Sequence, residues 1–176
     1  MIRDPGARGR ALAELYRDIG PRLFHDLEES GLLPAEPEAA ERAHAEWECF
    51  ALYACVRGLV AAGGFNRETA AAIDALHERV LEHWMAEQPS VDAFGRRRVL
   101  LSERYAEYGE IGQQGGASGA ATVARRLGEA AARHMAGPHP PAEGLSDMVG
   151  ELHEAFAEGA AEAVRSAMDG APEDAR

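Results

Sequence analysis

The segment from Phe50 to Val60 is apolar on nearly every side of a helix, with Arg57 as its one charged residue. A helix of this kind is covered on several sides, either by its own chain or by a partner chain. Elsewhere, apolar residues recur at helical spacing, and the β-branched residues that favour sheets are few. The sequence therefore predicts an all-α fold built round a central apolar helix at about 37–62.

Caps, prolines and glycines divide the chain into about six helices joined by short connections. Short connections favour antiparallel neighbours, so we predict a single-domain, mostly antiparallel bundle over 1–176, with a frayed polar tail at 170–176. The last helix is expected to bury Met148, Leu152 and Phe156. We expect the six helices to begin near Pro5, Pro37, Asn66, Ser90, Ser118 and Ser146.

Two stretches interrupt the helical pattern. Gly20-Pro21 falls inside the first helix and predicts a kink or a break there, because proline lacks the backbone N–H group. Gly109–Gly119 is the most glycine-dense part of the chain. Glycine destabilises a helix by ~1 kcal/mol per residue, so this stretch is expected to be a loop or a weakened helix.

Composition excludes several classes of protein. The net charge is −12, from 30 acidic and 18 basic residues, which disfavours binding to nucleic acid. The longest nearly apolar stretch, Phe50–Ala62, is too short to span a membrane. Met1–Arg10 lacks the apolar core of a signal peptide, so we expect a cytoplasmic protein. Cys49 and Cys55 lie on different sides of one helix and are expected to be unpaired core residues.

Arg57 is the first candidate binding residue. No residue one turn away can pair with it, so its partner has to come from another helix or from an anionic ligand. Arg98 and Arg104 can form an anion-binding patch, with Tyr105 and Tyr108 as an aromatic lining. The alternatives are structural ion pairs for Arg57 and a solvated face for the other arginines.

A metal site is a weaker alternative. Glu41 and His44 have the i, i+3 spacing that di-iron bundles use, although the sequence has no second E-x-x-H pair. His44, His77, His134 and His153 fall on separate helices beside apolar stripes, where they can either converge on a transition metal or serve as packing residues.

The segment Arg104–Gly116 resembles the glycine-rich distal helix of heme oxygenases, in which the backbone approaches a flat haem. The resemblance covers this segment, and the rest of the chain does not follow the family's pattern. It implies a haem cofactor with its axial histidine on the first helix, which here has to be His25. A glycine-rich hinge between helices explains the same residues without a cofactor.

The leading interpretation is a non-enzymatic helical binding or regulatory module that self-associates, with a homodimer as the expected form. It can include a small-molecule pocket between helices, and it requires no cofactor. The apolar helix, and within it Leu52 and Leu59, motivates the self-association. The alternatives are a metal- or haem-binding bundle, and a small-anion-binding protein centred on Arg57 and Arg98.

Overall fold

The computed structural model describes residues 4–87, 90–114 and 119–169, which form one bundle of six helices. The all-α prediction is confirmed, and those ranges contain no strand. None of the described helices combines the length and apolar character that a membrane span requires. The tail predicted at 170–176 lies outside the described residues. The helices are α1 (Pro5–Glu29), α2 (Pro37–Gly63), α3 (Arg67–Glu87), α4 (Val91–Gln114), α5 (Ala120–Ala136) and α6 (Leu145–Asp169).

Short polar side chains start three of these helices where the sequence predicts. The carboxylate of Asp4 accepts a hydrogen bond of 2.8 Å from the backbone N–H of Ala7 at the start of α1. The side-chain oxygen of Asn66 accepts one of 2.9 Å at the start of α3, and that of Ser90 accepts one of 3.1 Å at α4. Each cap satisfies a backbone donor that has no partner inside the helix.

Helix α2 is the centre of the bundle. It packs against all five other helices, and its core residues Leu52 and Leu59 are almost completely buried. The apolar circumference of α2 is therefore covered by helices of the same chain.

Helices that follow one another in the sequence run antiparallel, as the short connections predict. The hydroxyl of Tyr16 donates to the carbonyl of Glu48, and the indole of Trp47 donates to the carbonyl of Gly20. Residue numbers rise along α1 as they fall along α2, so these two helices point in opposite directions.

Two of the extensively packed helix pairs run parallel instead. Arg8 of α1 pairs with Glu68 of α3, and Glu14 pairs with Arg79, so the numbers rise together. This arrangement is possible because α1 and α3 are not consecutive. Helices α2 and α6 are also parallel, with contacts between Phe50 and His153 and between Gly58 and Ala160.

The described residues show no break at Gly20-Pro21 and no loop before Gln114, so the kink and the weakened helix stay predictions. Helix α1 continues through Pro21 without a break. Helix α4 continues through Gly109 and Gly112 as far as Gln114, so this part of the glycine-rich stretch is helical. Residues 115–118 lie outside the described residues.

The buried face of α6 is rotated by about one residue from the predicted one. Phe156 is buried as predicted, but Met148 and Leu152 are half-buried, whereas Val149 and His153 are fully buried. The predicted buried face of α6 was wrong because His153 was placed beside the apolar stripe and not within it. The true core positions place a histidine inside the bundle.

Candidate functional site

The predicted anion-binding arginines already have partners within the chain. Arg57 forms a two-point ion pair with Glu154 of α6, one bond of which joins Nη2 to Oε2 at 3.3 Å. Arg104 donates to both carboxylate oxygens of Glu46, at 2.6 Å each. These pairs satisfy the requirement for a partner on another helix, and they neutralise the charges that an anion would need.

The remaining members of the predicted anion site are dispersed. Arg98 is exposed, and its guanidinium lies 5.8 Å from the ring of Phe94 on its own helix. Tyr105 shares a 3.0 Å hydrogen bond with a ring nitrogen of His77. Tyr108 is buried against Phe50, at 5.2 Å between ring centroids. Arg57 and Arg98 therefore lie in different surroundings, one beside α6 and the other on the outer face of α4.

The candidate metal ligands also have separate surroundings. His44 lies edge-on to Phe24, and His134 lies 2.5 Å from a carboxylate oxygen of Glu107. Glu41 and His44 both line an open groove between α2 and α4. Within the described ranges, no three histidine, cysteine or acidic side chains are grouped so that they could hold a metal ion.

The residues of the haem resemblance do not form a site in the described part of the chain. His25 is exposed and lies 3.4 Å from the carboxylate of Glu29 on the same helix. On α4, a side chain at Gly112 would meet the hydroxyl of Tyr53, which itself donates to the carbonyl of Tyr108. Tyr53 thus covers this part of the glycine-containing face of α4.

Both cysteines are buried and unpaired, as predicted. Burial raises the pKa of Cys49 to about 12 and raises that of Cys55 further. A thiol that stays protonated at neutral pH is a poor nucleophile and a poor metal ligand, so neither cysteine suggests catalysis.

His153 is the most unusual polar residue of the core. It is 1% exposed and stacks on Phe50 with 3.9 Å between ring centroids. Neither ring nitrogen has a hydrogen bond of ordinary geometry, although the backbone of Phe50 lies near enough to favour the protonated form slightly. Burial, with a smaller contribution from the charge of Arg57, lowers the pKa of His153 well below its ordinary value.

This lowered pKa predicts a loss of stability in acid. Below about pH 6.5 the unfolded chain binds a proton at this position and the folded chain does not, which costs about 1.4 kcal/mol per pH unit until the folded pKa is reached. We expect the His153→Leu variant to lack this component of the acid destabilisation. Urea unfolding of both proteins between about pH 8 and pH 5.5 measures the difference. Equal losses in the two proteins would contradict the assignment.

The cavity between α1, α2 and α3 is the candidate site that the sequence did not predict. We call it the tryptophan cavity, since both tryptophans of the chain line it. Its volume is about 90 Å³, and it lies beside Pro21 of α1. There the indole N–H of Trp47 donates a hydrogen bond of 2.8 Å to the carbonyl of Gly20. Its apolar and aromatic walls include Tyr16, Gly20, Trp47, Ala51, Val80 and Trp84.

Charged and titratable groups also line the tryptophan cavity. Burial raises the pKa of Glu48, and the negative charge of nearby Glu87 adds to the effect, while Arg97 and His44 oppose it. His83 lies 3.7 Å from the carboxylate of Glu14. The charged and titratable lining residues are Arg17, His44, Glu48, His83 and Glu87.

Arg97 of α4 covers part of this wall. Its guanidinium carbon lies 3.9 Å from the ring centroid of Trp84, and its Nη2 donates to the carboxylate of Glu48. The side chain is 10% exposed, and its Nε has no hydrogen-bond partner among the described residues. Arg97 therefore holds the Glu48 carboxylate in place and covers one face of the Trp84 ring next to the cavity.

The sequence carried a signal for these arginine contacts. Arg97 and Arg104 are seven residues apart and so share one face of α4, while Glu46 and Glu48 are charged residues on either side of Trp47 in α2. Of the two arginines predicted on α4, Arg104 lies on this face, whereas Arg98 lies on a different one. No such local signal identifies the cavity, because its walls come from three helices.

Comparisons with known proteins do not add to this description. No family model matches the chain, and no curated protein or solved structure is significantly similar to it.

Proposed function

We propose that the protein is a non-enzymatic helical binding module whose ligand site is the tryptophan cavity. The observation that supports this proposal is the lining itself, in which Tyr16, Trp47 and Trp84 share the wall with Glu48 and Glu87. Ligand pockets combine an apolar, aromatic lining with a few polar groups in this way, and they often lie between the helices of a bundle.

The polar lining supports a binding site over a packing defect. Empty cavities in proteins are typically apolar, whereas this one borders the raised-pKa carboxyl of Glu48 and two histidines. A shifted carboxyl in a concave site is a feature of functional sites.

The cavity volume limits the ligand. About 90 Å³ is well below the several hundred Å³ of a site for a drug-sized molecule. The cavity adjoins an open groove of about 930 Å³, with which it shares His44, Glu48 and Glu87. The ligand is therefore either very small or inserts a small end into the cavity while the rest lies in the groove.

Filling the cavity is expected to abolish binding. Ala51 is fully buried in the wall, so Ala51→Leu places extra carbon atoms in the ligand space. The assay is a screen of small amines, acids and neutral compounds by tryptophan fluorescence, which reports on this cavity because both tryptophans line it. We expect hits with the wild type that are lost in Ala51→Leu.

The matched control is Ala163→Leu, which changes an exposed alanine of α6 that lines a different pocket. This variant should keep the hits. Because overpacking at Ala51 costs about 1–3 kcal/mol, a melting curve establishes that the variant is folded. Gly20→Ala is a second variant, which adds one carbon atom to the cavity wall at 3.9 Å from the nearest atoms of Tyr16. A screen without hits, or hits that survive both cavity variants, would contradict the proposal.

Self-association and a cytoplasmic location stay predictions. The feature that motivated a homodimer is now explained within the chain, since Leu52 and Leu59 are buried by the chain's own helices. Exposed apolar residues do occur at Val91 and Val99 on one face of α4, which is where we would place a dimer contact.

A further inference from the structure

The chain supplies an internal example of what the wall of the tryptophan cavity recognises. The guanidinium of Arg97 stacks on Trp84 at 3.9 Å and pairs with Glu48. An aromatic face and a carboxylate together attract a cation through the ring quadrupole and through its opposite charge. Trp84 and Glu48 also line the cavity, so a cation bound there would meet the same two groups in competition with Arg97.

The charge balance of the lining favours a cation. Glu48 and Glu87 are close enough for one charge to affect the pKa of the other. Of the basic groups in the lining, Arg17 is 54% exposed and lies 3.0 Å from its own partner Glu14, and His44 lies 3.7 Å from Glu48. Among the described lining residues, the cavity therefore has two carboxylates and one arginine, with Arg97 covering its wall from α4.

We propose that the tryptophan cavity binds a small organic cation of the guanidinium or ammonium class, held by Trp84 and by the carboxylates of Glu48 and Glu87. This inference rests on the proposed function, because it names the ligand class of the same cavity. Arg97 competes with the ligand for Glu48 and Trp84 and thereby sets the affinity. A volume of about 90 Å³ accommodates a cationic head group of this kind.

The test uses methylguanidinium chloride against its neutral analogue N-methylurea, at constant total salt and about pH 8, above the ordinary histidine pKa. Titrations follow tryptophan fluorescence of the full-length protein. We expect the wild type to bind methylguanidinium at least about tenfold more tightly than N-methylurea, since the analogue lacks the charge.

Variants then assign the binding to the named groups. Glu48→Gln should weaken methylguanidinium binding by about tenfold. Glu87→Gln, at an exposed residue that carries little risk to folding, should weaken it by about twofold. Arg97→Met should strengthen it by about tenfold, because the internal competitor is gone. The matched control Arg98→Met, on the outer face of α4, should leave the affinity unchanged.

Three results would overturn the inference. If methylguanidinium bound to the Arg97→Met variant and not to the wild type, it would only be filling the space left by a structural arginine. Equal binding of both probes would remove the requirement for charge. Unchanged affinity in both glutamine variants would place the ligand elsewhere. If neutral or anionic compounds bind in the cavity while methylguanidinium does not, the proposed function stands and the cation assignment fails; if nothing binds, both fail.

Discussion

Replacing Gly9 by alanine is expected to lower the free energy of unfolding by at least about 2 kcal/mol. Gly9 of α1 lies directly against the backbone of α3. An added Cβ would lie 2.1 Å from the carbonyl oxygen of Ala72 and 2.9 Å from the backbone nitrogen of Leu76. Backbone atoms inside a helix cannot rotate away, so α1 and α3 must separate, and the packing of this parallel pair is lost over several turns.

The matched control is Gly159→Ala, at an exposed position within α6. Its Cβ would have no neighbouring atom within 4 Å, and alanine favours a helix by up to about 1 kcal/mol over glycine. Urea unfolding followed by circular dichroism should rank Gly159→Ala at or above the wild type and Gly9→Ala well below it. A Gly9→Ala protein as stable as the wild type would contradict the close approach of α1 and α3.

Breaking the ion pair between Glu46 and Arg104 is expected to lower the free energy of unfolding strongly, because the Glu46 carboxylate is buried. Glu46 is 3% exposed, and Arg104 donates to both its carboxylate oxygens at 2.6 Å. Arg104→Met leaves a buried carboxylate without a counter-charge, which costs about 3–5 kcal/mol. Glu46→Gln with Arg104→Met should recover much of that loss, because the uncompensated charge is then absent.

A double-mutant cycle by urea unfolding measures this coupling. The control is the pair Arg125–Glu129, which joins exposed side chains one turn apart on α5. Arg125→Ala should change stability by less than about 0.5 kcal/mol, as exposed ion pairs do. If Arg104→Met is equally mild, or the double variant is no better than the single one, the buried pair does not contribute as described.

The parts of the fold that depend on local chemistry could be predicted from the sequence. The caps at Asp4, Asn66 and Ser90 act within one turn of the chain, so residue type and spacing are sufficient to place them. The parallel pairing of α1 with α3 could not be predicted, because helix periodicity gives the buried face of each helix and not the direction of its non-consecutive partner. The close contacts of Gly9 with α3 and of Gly58 with α6 could not be predicted for the same reason.

The candidate site was less accessible to sequence reasoning. The sequence required a partner for Arg57 on another helix, and Glu154 provides it, but nothing in the pattern singles out this glutamate among 30 acidic residues. The prediction also selected Arg98, whereas Arg97 is the neighbour that turns inward to Trp84 and Glu48. Adjacent residues on a helix differ by about 100° in direction, so a small error in the helix orientation exchanges their roles.

The most direct test of whether the tryptophan cavity binds a small molecule is an NMR titration of the two indole N–H signals of the uniformly ¹⁵N-labelled protein. Both tryptophans line the tryptophan cavity, and the indole of Trp47 reports on its hydrogen bond to Gly20. We expect a bound small molecule, with methylguanidinium as the first choice, to shift both indole signals in a saturable way, and Ala51→Leu to remove the shifts. Saturable shifts confined to α5 and α6, with both indole signals unchanged, would contradict it.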